Sequence, residues 1–153
     1  LYGANYIDPT NINLLNEWYF KTIHHEFTHI FTQTKEYTSD FQLISGTSYV
    51  GDAWNDYWSS DAEAQKAGFV SQYASKEANE DFAENVCIYL TQSSKQWDAM
   101  LTGAGTAGAE IIKQKFEVVY NYMKDSWNID LNQLRDIVQR RSSEIDKLDL
   151  ENF

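Results

Sequence analysis

The sequence predicts a mainly α fold with little or no β-sheet, on three observations. Only one Pro and seven Gly interrupt 153 residues, apolar residues recur with a 3.6-residue period in several segments, and helix-capping patterns precede several of those segments. A chain of this length can bury about two-thirds of its unfolded surface around one core. Residues 1–153 therefore read as a single domain.

The elements follow in order. Asp8-Pro9-Thr10 has the form of a helix start, and the helix it opens should run to about Thr34 with Phe20, Ile23, Phe27, Ile30 and Phe31 at core spacing. From Lys35 to Ser59 the period is lost, and glycines and hydroxyl residues gather beside Tyr49, Trp54 and Trp58. That stretch reads as an irregular aromatic loop, with room for a short strand. Ser60-Asp61-Ala62-Glu63 is a capping-box pattern for a short helix ending near Gly68. A second helix is expected from Ser75 to about Tyr89, with Phe82, Val86 and Tyr89 on its apolar stripe, and Ser93 to Gln96 can cap another through Leu101. Gly103 to Gly108, rich in Gly and Ala, is the best internal linker but is too short to separate domains. Beyond it, Ile112, Phe116, Val119, Tyr120, Met123 and Trp127 mark one helix face. Leu131, Leu134, Ile137, Val138, Ile145 and Leu148 mark another, with Asp130 as N-cap and charged residues outward.

Charge narrows the partners. Twelve Lys and Arg against 23 Asp and Glu leave a formal net charge of -11, which argues against a nucleic-acid binder because little is present to neutralise phosphates. No run approaches the roughly 18 apolar residues of a membrane span. The chain opens on Leu1 rather than Met, which leaves room for upstream residues and a targeting segment. Cys87 is the lone cysteine, so no internal disulfide is available, and it reads as a small buried hydrophobe.

All three histidines fall within six consecutive residues of the first long helix, in the string Ile23-His24-His25-Glu26-Phe27-Thr28-His29-Ile30. This is an HExxH pattern. Residues i and i+4 project one turn apart on the same side, so His25 and His29 can offer two imidazoles to one metal ion, with Glu26 beside them as a base for a metal-activated water. The row Trp18, Thr22, His25 and His29 should lie away from the core face, and His24 points elsewhere. The metzincin continuation is excluded, because positions 32 and 35 are Thr and Lys. A third ligand must come from another segment. Glu77, Glu80, Asp81 and Glu84 form an acidic stripe at i, i+3, i+4 and i+7, whose mutual repulsion a cation would relieve.

Together with Tyr73-Ala74-Ser75-Lys76-Glu77-Ala78-Asn79-Glu80-Asp81-Phe82-Ala83-Glu84, the histidine string resembles the zinc-binding metallopeptidases of Bacteroidetes known as substrate import-associated zinc metallohydrolase lipoproteins. The resemblance covers roughly residues 18–90. More distantly, the second motif is similar to the catalytic domain of anthrax lethal factor. The resemblance implies a zincin-like, gluzincin-type domain holding Zn2+ on His25, His29 and Glu80. It makes Tyr73 a hydrogen-bond donor in the transition state and Glu84 a carboxylate that orients a ligating histidine. Asp81 and Glu77 stay open as alternatives for the third ligand. The resemblance also implies a peptide or protein substrate, components of a TonB-dependent uptake system as partners, and a place on the bacterial outer-membrane surface as a lipoprotein. Zincins usually carry a small sheet before the HExxH helix, so either that sheet precedes this chain or the segment from Lys35 to Ser59 stands in for it.

The expected function is therefore zinc-dependent peptide hydrolysis, with Glu26 as general base and Tyr73 at the oxyanion. The alternative is a non-catalytic surface module for glycan or peptide, with the aromatic loop as platform and the metal structural or vestigial.

Overall fold

The structure is a computed structural model that describes residues 11–144 and Lys147. The predicted helix start at Asp8-Pro9-Thr10, and the apolar positions Ile145 and Leu148, lie outside the described residues. No strand occurs among the described residues, and no helix there is long and apolar enough to cross a membrane.

A helical turn Ile12–Leu14 and a π-helical segment Leu15–Phe20 run without interruption into α1, Lys21–Thr34. The expected core face of α1 is corrected. Phe27 and Ile30 are each 55% exposed, while His25 and Thr28 are buried. Helix α1 packs its polar side on the helix that carries the acidic stripe, so the carboxylates and imidazoles meet, and much of the apolar side is left open. Phe31 keeps a core contact, its ring 4.8 Å from Trp127, and Phe20 and Ile23 are half-buried.

The segment after α1 forms short helical pieces rather than a loop with a strand. They are α2, Asp40–Ser45, two 3-10 turns at Gly46–Ser48 and Gly51–Ala53, and a single helical turn Trp54–Tyr57. Two backbone bonds, Val50 N–H to Ser75 C=O and Gly51 N–H to Lys76 C=O, tie this segment to the turn before the acidic helix. Helix α3, Asp61–Lys66, starts where the capping pattern predicts, with the Ser60 side chain accepting from the Glu63 N–H.

Helix α4, Ala78–Thr91, is the centre of the molecule. Every residue from Glu80 to Leu90 is buried, because α1, α2, α5 and α6 pack around it. Phe82 stacks on Tyr37 at 4.3 Å and meets Phe41 at 5.0 Å and Tyr122 at 5.3 Å. Loss of a fully buried ring of this kind costs about 3–5 kcal/mol. Helix α4 begins at Ala78, later than predicted. Tyr73–Ser75 form a 3-10 turn instead, and Glu77 is the extended N-cap residue.

The Gly and Ala stretch is a corner, not a linker. Ser93 and Gln96 form a full capping box at the start of α5, Ser94–Trp127, whose helical path breaks at Gly105, where φ is +70°. Three residues on, Gly108 lies against α3 so closely that a methyl group would collide with the Gln65 carbonyl. Helix α6, Leu131–Ser143, is capped by Asp130, whose carboxylate accepts from the N–H groups of Asn132 and Gln133. The outward-facing charges expected on α5 and α6 have two exceptions. Lys115 and Arg135 are buried.

Candidate metal centre

Three side chains from two helices converge at one point. His25 Nε2 lies 3.0 Å from Glu80 Oε2, His29 Nε2 lies 3.2 Å from the same oxygen, and the two nitrogens are 3.1 Å apart. His25 and His29 share a face because they stand one turn apart on α1, and Glu80 faces them from the first turn of α4. Ligands about 2.0 Å from zinc at tetrahedral angles stand roughly 3.3 Å from one another, so this triangle is nearly the face of a zinc tetrahedron. Two imidazole nitrogens and a carboxylate oxygen aimed at one spot present more lone pairs than protons. A divalent cation fits that donor set.

The support behind the triangle is continuous. His25 Nδ1 pairs with Glu84 Oε1 at 3.0 Å, which turns Nε2 toward Glu80 and His29. The other oxygen of Glu84 accepts from the Ser71 hydroxyl at 2.6 Å and pairs with the Lys21 ammonium at 3.0 Å. Burial pushes the Glu84 carboxyl up. The His25 hydrogen bond, the Lys21 charge and the Ser71 hydroxyl outweigh it and hold the carboxyl at about 2. For Glu80 too, burial is opposed by Tyr73 and the two histidines, with a net shift downward. Both carboxylates are therefore ionised at neutral pH.

Adjacent carboxylates on α4 part company. Asp81 turns from the histidines to the Lys115 ammonium at 2.6 Å, and it also accepts from Tyr49 and Asn85 at 3.0 Å. Burial drives its carboxyl up to about 6 against the pull of Lys115. Lys115 in turn donates to the Gly68 carbonyl and stands 4.0 Å above the Phe69 ring. Glu77 is exposed at the N-cap. Of the three candidates for a third donor, Glu80 is the one that reaches the imidazoles.

Tyr73 lies at the same site. Its hydroxyl donates to Glu80 Oε1 at 2.8 Å, its ring is 5.7 Å from that of His25, and Trp54 packs edge-on against it at 4.9 Å. Glu26 is exposed and lines a cleft of about 190 Å³ with His25, Tyr73 and Lys21. His24, half-buried, sits outside the cluster. A second group of potential ligands, His25 with Glu84 and Cys87, suits a cation poorly. The Lys21 ammonium already lies against Glu84, and burial pushes the Cys87 thiol far up, so it stays protonated.

Residues 1–132 match the family model described as "Putative zinc-binding metallo-peptidase". The chain belongs to this family. A crystal structure described as that of a putative zinc-binding metallo-peptidase from Bacteroides caccae is 43% identical and superposes with a TM-score of 0.89, covering 97% of this chain. This family member spans 56% of that relative's chain. None of the curated proteins matches it.

The sequence reading missed Lys21, Ser71 and Lys115. Lys21 left a signal, standing one turn before His25 on the same helix face. Lys115 left one as well, since it sits at core register between Ile112 and Val119 on the apolar stripe of α5. Ser71, in the connection between α3 and the Tyr73 turn, left none.

Proposed function

We propose that this protein is a zinc-dependent peptidase that hydrolyses a peptide bond with Glu26 as general base. The observation that carries the reading is the triangle of His25, His29 and Glu80 donors, 3.0–3.2 Å on a side, with Glu26 and Tyr73 on the adjoining cleft. His25, His29 and Glu80 would hold the ion, which supplies the Lewis acidity that acidifies water and polarises a carbonyl. Glu26 removes the proton from the attacking water as the new C–O bond forms, and it delivers that proton to the amine as the C–N bond breaks. Tyr73 donates to the oxygen that becomes negative, a contribution on the order of 2–4 kcal/mol. For that step its hydroxyl leaves Glu80 Oε1, where it now donates. Glu84 and Lys21 keep the His25 ring in one tautomer and orientation.

The lipoprotein location at the outer-membrane surface, the TonB-dependent uptake partners and the kinship with lethal factor are part of the same proposal. They rest on the resemblance of the two motifs, in the second of which Tyr73 and Glu80 stand seven residues apart. Glu26→Gln tests the chemistry. The variant is expected to bind zinc as tightly as the parent chain and to lose peptide hydrolysis by at least 100-fold, the scale of general-base catalysis. Hydrolysis at the parental rate would contradict the role of Glu26 and favour the binding-module alternative.

A further inference from the structure

Past His29, on the side of the donor triangle away from Glu26, lies a second cleft of about 360 Å³, large enough for one long side chain. Its walls are polar. Gln33 and Glu36 come from the end of α1 and just beyond it, Gln42 from α2 and Asn79 from α4. The Tyr37 hydroxyl donates to Asn79 Oδ1 at 2.7 Å and so fixes that amide in the wall. Among the lining residues Glu36 is the one carboxylate, and neither Lys nor Arg is present. The Tyr37 hydroxyl is pushed up to about 12, first by burial and then by the charges of Asp81 and Glu77. An anionic side chain would meet Glu36, and an apolar one would strand the carboxamides without partners. A guanidinium or ammonium group supplies several donors and the opposite charge.

We propose that this cleft is a specificity subsite for a basic side chain of the substrate, an Arg or Lys beside the scissile bond, with Glu36 as its counter-charge. The inference rests on the peptidase reading, because the substrate reaches the cleft by lying across the metal.

Short peptide hydroxamates anchored on zinc test it. They would be identical except for Arg, norleucine or Glu at the residues flanking the zinc-binding group, with dissociation constants measured by calorimetry on the zinc-loaded chain. Arg is expected to bind about three- to fivefold tighter than norleucine, the scale of one exposed ion pair, and Glu weakest. Glu36→Gln is expected to bring the Arg to norleucine ratio close to one, and Glu36→Asp to retain part of it. Equal affinities in the parent chain, or a ratio that Glu36→Gln leaves intact, would overturn the subsite while the peptidase reading stood. Binding of no hydroxamate by a chain that holds zinc would overturn the peptidase reading and the subsite with it.

Discussion

Glu80 and Asp81 are neighbours in sequence and opposite in role. Successive residues on a helix point about 100° apart, so only one of the two can face α1. Glu80→Ala is therefore expected to abolish tight zinc binding. Glu84→Gln, which keeps the shape but loses the charge behind His25, is expected to weaken zinc 10- to 100-fold, as competition with a chelating dye would read. The pairing of His25 with His29 was legible because the two stand one turn apart within α1, a relation that survives in sequence. The choice of Glu80 and Glu84 from the acidic stripe came from the family resemblance, since spacing left Asp81 and Glu77 open. The ion pair of Asp81 with Lys115 was not legible, because its partners come from different helices and only folding brings them together.

At the level of elements, hydrophobic period located the helices but misassigned one buried side. The apolar stripe of α1 was read as core, yet the side carrying His25 and Thr28 is the one pressed on α4. Burial of that polar side is tolerated because each imidazole has a carboxylate partner. Phe27→Ser and Ile30→Ser are accordingly expected to change the unfolding free energy of this chain by no more than about 0.5 kcal/mol in urea, the range for surface positions. Lys115→Met stands at the other extreme. Removing one partner of a buried pair is expected to cost about 3–5 kcal/mol, and adding Asp81→Leu should cost less than the single change, since no uncompensated charge then remains. The short helices between Lys35 and Ser59 were illegible for a different reason. Each is six residues or fewer and is held by packing and by the two backbone bonds to Ser75 and Lys76, not by its own periodicity.

Over the whole molecule, the buried α4 links core and site, since Phe82 anchors one side of the helix and Glu80 and Glu84 the other. The mainly α fold and the helical placement of the HExxH string and of Glu80 and Glu84 follow from period and caps. The corner at Gly105 and the close approach at Gly108 depend on how α3 lies against α5, which no local pattern records. A zinc ion that binds only the folded chain adds stability by mass action, about 2.7 kcal/mol at a free concentration 100 times its dissociation constant. The melting temperature should rise with added zinc in the parent chain and stay fixed in His29→Ala. Zinc-edge X-ray absorption on the chain loaded with one equivalent is the most direct measurement. The expected first shell holds two imidazole nitrogens and a carboxylate oxygen at about 2.0–2.2 Å. A sulfur scatterer near 2.3 Å, which would place the ion at Cys87, or a shell without two imidazoles, would contradict the account.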